Sequence, residues 1–413
     1  MKNIPQDEFK AQERIGFEIS KKLLEQDPLV RTVAEIISDG ISKRASDILI
    51  EPLQDQLQVR YRIDGVLYKN LSLDKTLHEG VISRIKVMSG LDISEHRLPQ
   101  DGRFKMVFSE KEVDTRVSVI PTHLGEKIAL RVLDKETIIL DIAKLGLDTR
   151  SLELFKRNLH KPYGMILVCG PTGSGKTTTL YAALKYIDSI ERNIVTVEDP
   201  IEYQISGINQ VSVREDIGLT FASSLRSILR QDPNIILVGE IRDSETADIA
   251  VKAALTGHLI LSTLHTTSAT ASIIRLVNMG VEPFLIASSC LLMASQVLVR
   301  ALCHQCKESY HPPEMFLNEL KNLNIEVPND LVLYRPKGCS FCSQTGFKGR
   351  VAIMESLEIT NNITELIIKG ASEKDFKERA KGEGLRTLRE NGLGIVLNGK
   401  TSFEEILRVS TST

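Results

Sequence analysis

The chain has 413 residues, 42% hydrophobic and 26% charged, a composition that suits two or three globular domains and excludes a disordered or fibrous protein. Its 52 Lys and Arg nearly balance 54 Asp and Glu, giving a formal net charge of -2, so no global field draws it to nucleic acid or to an anionic membrane. The start, MKNIPQDEFKAQER, is polar and lacks the apolar core of a secretory signal, which points to the cytoplasm.

Between Phe9 and Ser42 the apolar residues recur at helical spacing (Val30, Val33, Ile36, Ile37, Ile41), predicting one or two helices in an N-terminal segment over residues 1–42, with 3–13 loose. The alternating segments Ile48–Pro52 and Leu57–Ile63, followed by Asp64-Gly65, give a hairpin signal. A helix over Val81–Met88 and strands over Phe104–Val107, Val113–Val119 and Ala129–Val132 complete a small α+β domain over residues 43–135. A linker over 136–149 and one helix lead to GMILVCG, an apolar strand that runs into a Gly-rich turn and opens a new domain near residue 150. Strands Ile194–Val197, Ile235–Val238 and Leu259–Thr263 then alternate with helical stretches over 150–300, the pattern of a parallel sheet covered on both faces. The uncharged run Pro283–Val299 falls short of the ~20 residues that span a bilayer, and is expected as a buried core helix. A cysteine-bearing segment over 301–352 and a helical region over 353–413 close the chain.

Gly170-Pro171-Thr172-Gly173-Ser174-Gly175-Lys176-Thr177 matches G-x-x-x-x-G-K-[ST] at each fixed position, with a strand before it and a helix beginning Thr177-Thr178 after it. The glycines let main-chain N–H groups turn inward around a phosphate, and the helix N-terminus adds its partial positive charge. Lys176 supplies a full charge to the β- and γ-phosphates, and the Thr177 hydroxyl is a ligand for Mg²⁺. Such a site also needs carboxylates near the metal and a base for water. Two acidic clusters fall at strand ends, Glu198-Asp199-Pro200-Ile201-Glu202 and Gly239-Glu240-Ile241-Arg242-Asp243, and the C-terminal edge of a parallel sheet is where the phosphate loop also lies. The second resembles a Walker B element with Glu240 where most such enzymes place Asp. His258 and His265 bracket the strand LILSTL and so mark its opposite ends; taken alone, a histidine is more often a hydrogen-bonded structural residue than a catalyst.

Cys303-x-x-Cys306 and Cys339-x-x-Cys342 offer four thiolates in two knuckles, the donor set of a closed tetrahedral Zn²⁺ site with no open position for catalysis. Cys169 and Cys290 sit singly in apolar surroundings and read as core.

LVCGPTGSGKTTTLYA, VTVEDPIEY, RQDPNIILVGEIRD and TGHLILSTLHT resemble, in order and spacing, the Walker A, Asp, Walker B and His boxes of the secretion ATPase superfamily. ASDILIEP, RLPQDGRF and RVSVIPTHLGEKIALRVL are similar to the second N-terminal domain of type II secretion and type IV pilus assembly ATPases, of the general secretory pathway protein E kind. The resemblance implies a RecA-like ATPase core, a PAS-like N-terminal domain, a zinc insertion and a helical C-terminal region. It implies a homo-hexameric ring at the inner face of the cytoplasmic membrane that turns over ATP with Mg²⁺ between the N-terminal domain and the core. Its partners would be an inner-membrane platform protein and a membrane-anchored recruiting protein. By position, Glu202 is the first candidate for the base and Glu198 the second, Glu240 assists the metal, His258 and His265 sense the γ-phosphate, and Arg103, Arg116 and Arg131 neutralise phosphate charge. Arg226 and Arg230 are candidates to act across a subunit boundary.

Three departures stand out. Leu49 replaces a histidine of the motif, Cys169 stands where threonine is common, and only about 40 residues precede ASDILIEP, so recruitment is expected to differ or to rely on the platform alone. The quartet is common in assembly motors, whereas retraction and conjugation motors resemble the core without it. The rivals are those motors, an ATP-binding module that does not hydrolyse, and a nucleic-acid translocase. Against the last stand the near-neutral charge and 5% aromatic content.

Overall fold

The computed structural model describes residues 16–17, 27–108, 111–133, 141–323, 328 and 330–410. The chain divides into two compact units, one up to residue 138 and one from residue 139. The expected loose stretch 3–13, and the part of the expected N-terminal helices over 18–26, lie outside the described residues.

The first unit holds β1 (Gly16–Phe17), α1 (Pro28–Ser42), β2 (Ala45–Pro52), β3 (Gln56–Ile63), β4 (Val66–Asp74), α2 (His78–Met88), β5 (Gln100–Phe108), β6 (Lys111–Thr122) and β7 (Gly125–Leu133). Residues 16–17, read as helical from the sequence, instead pair in parallel with β5. The seven strands run in the order β1-β5-β6-β7-β2-β3-β4. Helix α1 starts where the sequence supplies both signals: the Asp27 side chain accepts from the Leu29 N–H, and Pro28 fills the first turn. Its Val33, Ile36 and Ile37 join Val81, Ile82 and Ile85 of α2 and the inward residues of the strands in one apolar layer on one face of the sheet. The buried Tyr61 hydroxyl finds its acceptor in the Ile36 carbonyl at 2.7 Å. Asp64 and Gly65 both adopt positive φ, 49° and 87°, as the tight β3–β4 turn requires.

The second unit begins with α3 (Thr149–Leu159), β8 (Gly164–Cys169), α4 (Lys176–Ile187), β9 (Ile194–Glu198), β10 (Asn209–Ser212), α5 (Phe221–Ile228), β11 (Ile235–Val238), α6 (Ser244–Leu255) and β12 (Leu259–Leu264). It continues with α7 (Ala269–Asn278), α8 (Pro283–Ser289), β13 (Cys290–Leu302), β14 (Glu308–Tyr310), α9 (Glu314–Asn322), β15 (Leu333–Arg335) and β16 (Phe347–Glu358). Four helices follow: α10 (Asn361–Ile368), α11 (Glu373–Gly382), α12 (Leu388–Leu397) and α13 (Phe403–Ser410).

The main sheet has the order β10-β9-β11-β12-β8-β13-β16, parallel except for the antiparallel pair β13–β16. Alternate residues of β8 serve opposite layers: Met165, Leu167 and Cys169 pack with α5, α6 and α7, while Ile166 and Val168 pack with α3 and α4. This is the expected parallel sheet covered on both faces.

Pro283–Val299 is not one helix. Its first half is α8 and its second half enters β13 between β8 and β16. A continuous apolar run has no period to separate a buried helix from a buried strand, and here the free edge of β8 decides. The cysteine segment is inserted between β13 and β16, and α12 and α13 pack with Val297 and Val299 of β13, Phe316 of α9 and Leu333 of β15 in a separate cluster.

That cluster is pinned by a buried carboxylate. Glu405 accepts from the Arg300 main-chain N–H at 3.1 Å and from Arg300 Nη2 at 2.6 Å, and it pairs with Arg408 at 2.9 Å. Burial works to raise its pKa, but Arg300 and Arg408 together hold it at about 2. A folded pKa below the unfolded one gives stability that is complete above about pH 4.5 and is lost as pH falls towards 2. Between pH 6 and pH 3 the parent protein is expected to lose about 2 kcal/mol more than Glu405→Gln does, measured by urea denaturation at the two pH values.

Candidate functional site

Strand β8 delivers the chain to Gly170, and α4 takes it up at Lys176. The turn between them is possible because Gly170, Gly173 and Gly175 adopt φ of 143°, 77° and 85°. A Cβ on Gly170 would also collide with the Gln296 carbonyl of β13. Many helices in this chain start on a side-chain cap, such as Asp148, Thr220, Asp243 and Ser268. Helix α4 starts on Gly175 with no side-chain cap, which leaves its first N–H groups for an external anion. Pro171, Thr172, Gly173 and Thr177 are exposed around the rim, whereas Ser174 and Lys176 are buried and Thr178 is half-buried.

Lys176 folds back on its own loop, with Nζ donating to the carbonyls of Gly170 at 2.8 Å and Pro171 at 3.1 Å. Burial lowers its affinity for the proton, opposed by Cys169 and the Glu240 carboxylate. An ammonium held by two neutral carbonyls is under-compensated, and phosphate oxygens would meet the charge that the loop does not.

Glu240 stands just past the end of β11. Its turn is clamped from both sides, by Gly239 N–H donating to Val197 at 2.8 Å and Ile241 N–H donating to Thr263 at 3.1 Å. One Glu240 oxygen is 2.6 Å from Arg242 Nη2 and the other 3.3 Å from His265 Nε2. Arg242 also lies in the field of Asp199, so the two acidic clusters converge there. Lys176, Glu240, Arg242 and His265 therefore share the C-terminal edge of the sheet.

Glu198 and Glu202 part company. The Glu198 carboxylate is buried and accepts from Thr196 Oγ1 at 2.5 Å, from Gln210 Nε2 at 3.1 Å and from the Tyr181 hydroxyl. That phenol, whose acidity is suppressed first by burial and then by Glu198, also takes a hydrogen bond from the Glu202 main chain. Glu198 thus anchors the acidic cluster to α4 with its oxygens engaged, and Glu202 is exposed.

The two histidines lie at opposite ends of β12. Leu264 pairs with Cys169 at the loop end, next to His265, while Leu259 pairs with Gly164 at the far end. There His258 bonds through Nδ1 to the Ala253 carbonyl at 3.0 Å, and its own carbonyl accepts from Gly164 N–H at 3.1 Å. Within this chain His265 joins the phosphate loop and His258 does not. Arg226, exposed on α5, pairs with Glu245 at 2.7 Å, and Arg230, two residues past the end of that helix, donates to the Arg226 carbonyl at 2.8 Å.

The three candidate arginines belong to the first unit. Arg103 lies opposite Arg116, and Arg116 opposite Arg131, across β5, β6 and β7. Asp47 of β2 continues the row, opposite both Arg131 and Arg62, and it is 3.2 Å from each guanidinium. The row occupies the face away from the apolar layer. Like charges placed directly opposite each other on neighbouring strands repel, and Asp47 offsets part of that repulsion at the Arg131 end of the row.

The four cysteines close into a cluster whose Sγ atoms all lie within 4.8 Å of one another, with separations of 3.9 Å for Cys303–Cys339, 3.8 Å for Cys306–Cys342 and 3.7 Å for Cys339–Cys342. Four sulfurs at about 2.3 Å from one ion stand about 3.8 Å apart at the corners of a tetrahedron, so the cluster fits a tetrahedral thiophilic ion. Burial alone would raise the Cys342 thiol, but N–H groups of Cys339 and Gly346 pointing at its sulfur bring it down to about 7.

Three residues escaped the sequence reading: Tyr181, Gln210 and Gln296. Gln296 is buried, donates through Nε2 to the Ser174 carbonyl at 2.7 Å and accepts from Thr179 Oγ1 at 2.7 Å. Its signal was the lone amide in an uncharged run. Tyr181 signalled itself as an aromatic with a polar tip one turn beyond Lys176.

Known proteins share this arrangement. The family described as type II/IV secretion system protein matches residues 22–408. The type IV pilus assembly ATPase PilB of Myxococcus xanthus is 49% identical over 391 residues, 94% of this chain and 68% of that protein. The type II secretion system protein E of Pseudomonas aeruginosa is 46% identical over 394 residues, 95% of this chain and 78% of its own length. Among solved structures, the pilus retraction motor PilT with bound ADP is 26% identical with a TM-score of 0.61, covering 91% of this chain and 96% of that one. The Yersinia pseudotuberculosis ATPase DotB, 21% identical, shares the fold with a TM-score of 0.68 over 94% of this chain and 95% of its own.

Tyr181→Phe removes a donor from a buried carboxylate and is expected to destabilise the chain by about 1–3 kcal/mol. Thermal unfolding without nucleotide is the measurement, and an unchanged midpoint would show that Glu198 does not depend on that hydroxyl.

Proposed function

Since the chain belongs to the type II/IV secretion system protein family, we propose that it hydrolyses ATP at the 170–177 loop to power assembly of a type II secretion pseudopilus or a type IV pilus. The observation that carries this reading is the uncapped start of α4, with buried Lys176 held only by loop carbonyls and Glu240 and His265 beside it.

In this reading ATP displaces the two carbonyls from Lys176, which then meets the β- and γ-phosphates, while the first N–H groups of α4 face the phosphate chain. Thr177 and Glu240 are the side chains that would hold Mg²⁺, which supplies charge neutralisation on the phosphate oxygens when bound. Glu202 takes the proton from the attacking water; Glu198, with its oxygens committed to Tyr181, Thr196 and Gln210, keeps the cluster in place. His265 senses the state of the γ-phosphate through Glu240. His258, at the other end of β12, serves the turn that feeds the strand. Arg103, Arg116 and Arg131 neutralise phosphate charge, for which permanent planar cations are suited. The working form is a homo-hexamer, with Arg226 and Arg230 facing a neighbouring subunit.

Among the described residues no helix is long and apolar enough to cross a membrane. A platform protein of its machine places the motor at the inner face of the cytoplasmic membrane. The tetracysteine cluster favours assembly over the retraction function named for PilT, because the resemblance associates the quartet with assembly motors. It would hold Zn²⁺, whose chemistry there is structural, closing the segment between the two knuckles.

Lys176→Ala is expected to abolish ATP turnover, and Glu202→Gln to lower kcat by about 100-fold or more while nucleotide still binds, both measured by phosphate release. Turnover that survives Lys176→Ala sinks the motor reading. Metal analysis of the purified chain should return one zinc per chain, and Cys342→Ser should lower both the zinc content and the thermal midpoint.

A further inference from the structure

Gln296 occupies the middle of β13, on the strand face that covers the start of α4. Both ends of its amide are committed, Nε2 to the Ser174 carbonyl and Oε1 to the Thr179 hydroxyl. A carbonyl only accepts, so Ser174 fixes which end of the amide is the NH₂. The Gln296 main-chain carbonyl lies where a Cβ of Gly170 would stand, and a Cβ on Gly175 would meet Gln296 Nε2 at 3.0 Å and Leu298 Cδ1 at 3.3 Å. The first, fifth and sixth residues of the loop are therefore moulded against two residues of one strand.

The Ser174–Gly175 peptide needs such a mould. In a trans peptide the C=O and N–H point in opposite directions, so holding the Ser174 carbonyl against β13 aims the Gly175 N–H away from the strand, towards the open rim of the loop. Ser174 is flanked by Gly173 and Gly175, both at positive φ, and glycine offers little resistance to rotation of the peptide between its neighbours. Among the described residues the buried Ser174 hydroxyl has no hydrogen-bond partner, so the side chain does not lock the peptide either. The clamp comes from Gln296.

We infer that Gln296 is a positioning residue for nucleotide: it holds the Ser174–Gly175 peptide in the orientation that presents its N–H to phosphate. This rests on the reading of residues 170–177 as the phosphate site. The side chain touches no substrate, and its effect passes through the loop.

The test uses the full chain, Mg²⁺ and a fluorescent ATP analogue for binding, with phosphate release for turnover. Gln296→Met keeps the bulk and removes both hydrogen bonds; Gln296→Glu keeps the Thr179 bond and cannot donate to Ser174. Both are expected to raise Kd and KM by about tenfold or more, with kcat changed by less than about threefold, and Thr179→Val by only about twofold. A general packing role would instead lower kcat and binding stoichiometry with KM and Kd unmoved, and that result overturns the proposal. So does wild-type affinity in Gln296→Met when Lys176→Ala has lost binding, an outcome that leaves the phosphate reading intact. If Lys176→Ala binds as the parent does, both fall together.

Discussion

A helix that begins without a cap is short of acceptors for its first N–H groups, and the second unit is organised around that deficit at the start of α4. The parallel sheet brings β8, β9, β11 and β12 to the same edge, so the loop, the two acidic clusters and His265 arrive together without any long connection. Carboxylates placed beside unsatisfied N–H groups could fill the deficit themselves. They do not, because Glu198 is drawn off by Tyr181, Thr196 and Gln210, and Glu240 by Arg242 and His265. The polar groups around the loop thus satisfy one another and leave its mouth to an anion from outside.

The first unit shows the same economy with the opposite sign. Its apolar layer lies on one face of the sheet, and the other face carries Arg103, Arg116 and Arg131 in one cross-strand row closed by Asp47. A sheet gains nothing from like charges at that spacing. The register that creates the row comes from strand pairing rather than from any local motif.

Much of this was legible in the sequence where the chemistry is local. The loop glycines, Lys176 and Thr177 are fixed by spacing along one turn, and the two C-x-x-C knuckles each declare half of a site. The paired strands of the first unit and the alternating elements of the second followed from period and turn residues. What the sequence left open or misread depended on partners distant in the chain. Pro283–Val299 reads as a helix until β8 and β16 are there to pair with it. Glu198 and Glu202 look alike in sequence and differ because the fold buries the first among Tyr181, Thr196 and Gln210 and leaves the second exposed. His258 and His265 seem equivalent until the direction of β12 is known. Gln296 was visible as an oddity in an apolar run, but its work lies across the sheet, more than a hundred residues from the loop it holds.

Strand β13 also carries Val297 and Val299 into the C-terminal cluster and ends one residue before Cys303. The phosphate loop and the cysteine cluster are thus joined by one extended stretch of chain, whose pairing with β16 shifts register once, between Arg300 and Leu302. Inserting a single residue between Gln296 and Val297 would turn Val297 and Val299 to the opposite face of the strand, out of the C-terminal cluster, and shift the first knuckle. The segment between Cys306 and Cys339 stands apart from that strand, its β14 and β15 forming a small sheet of their own. Length variation in proteins built on this plan should therefore concentrate between the knuckles, while the interval from Gln296 to Cys303 stays constant.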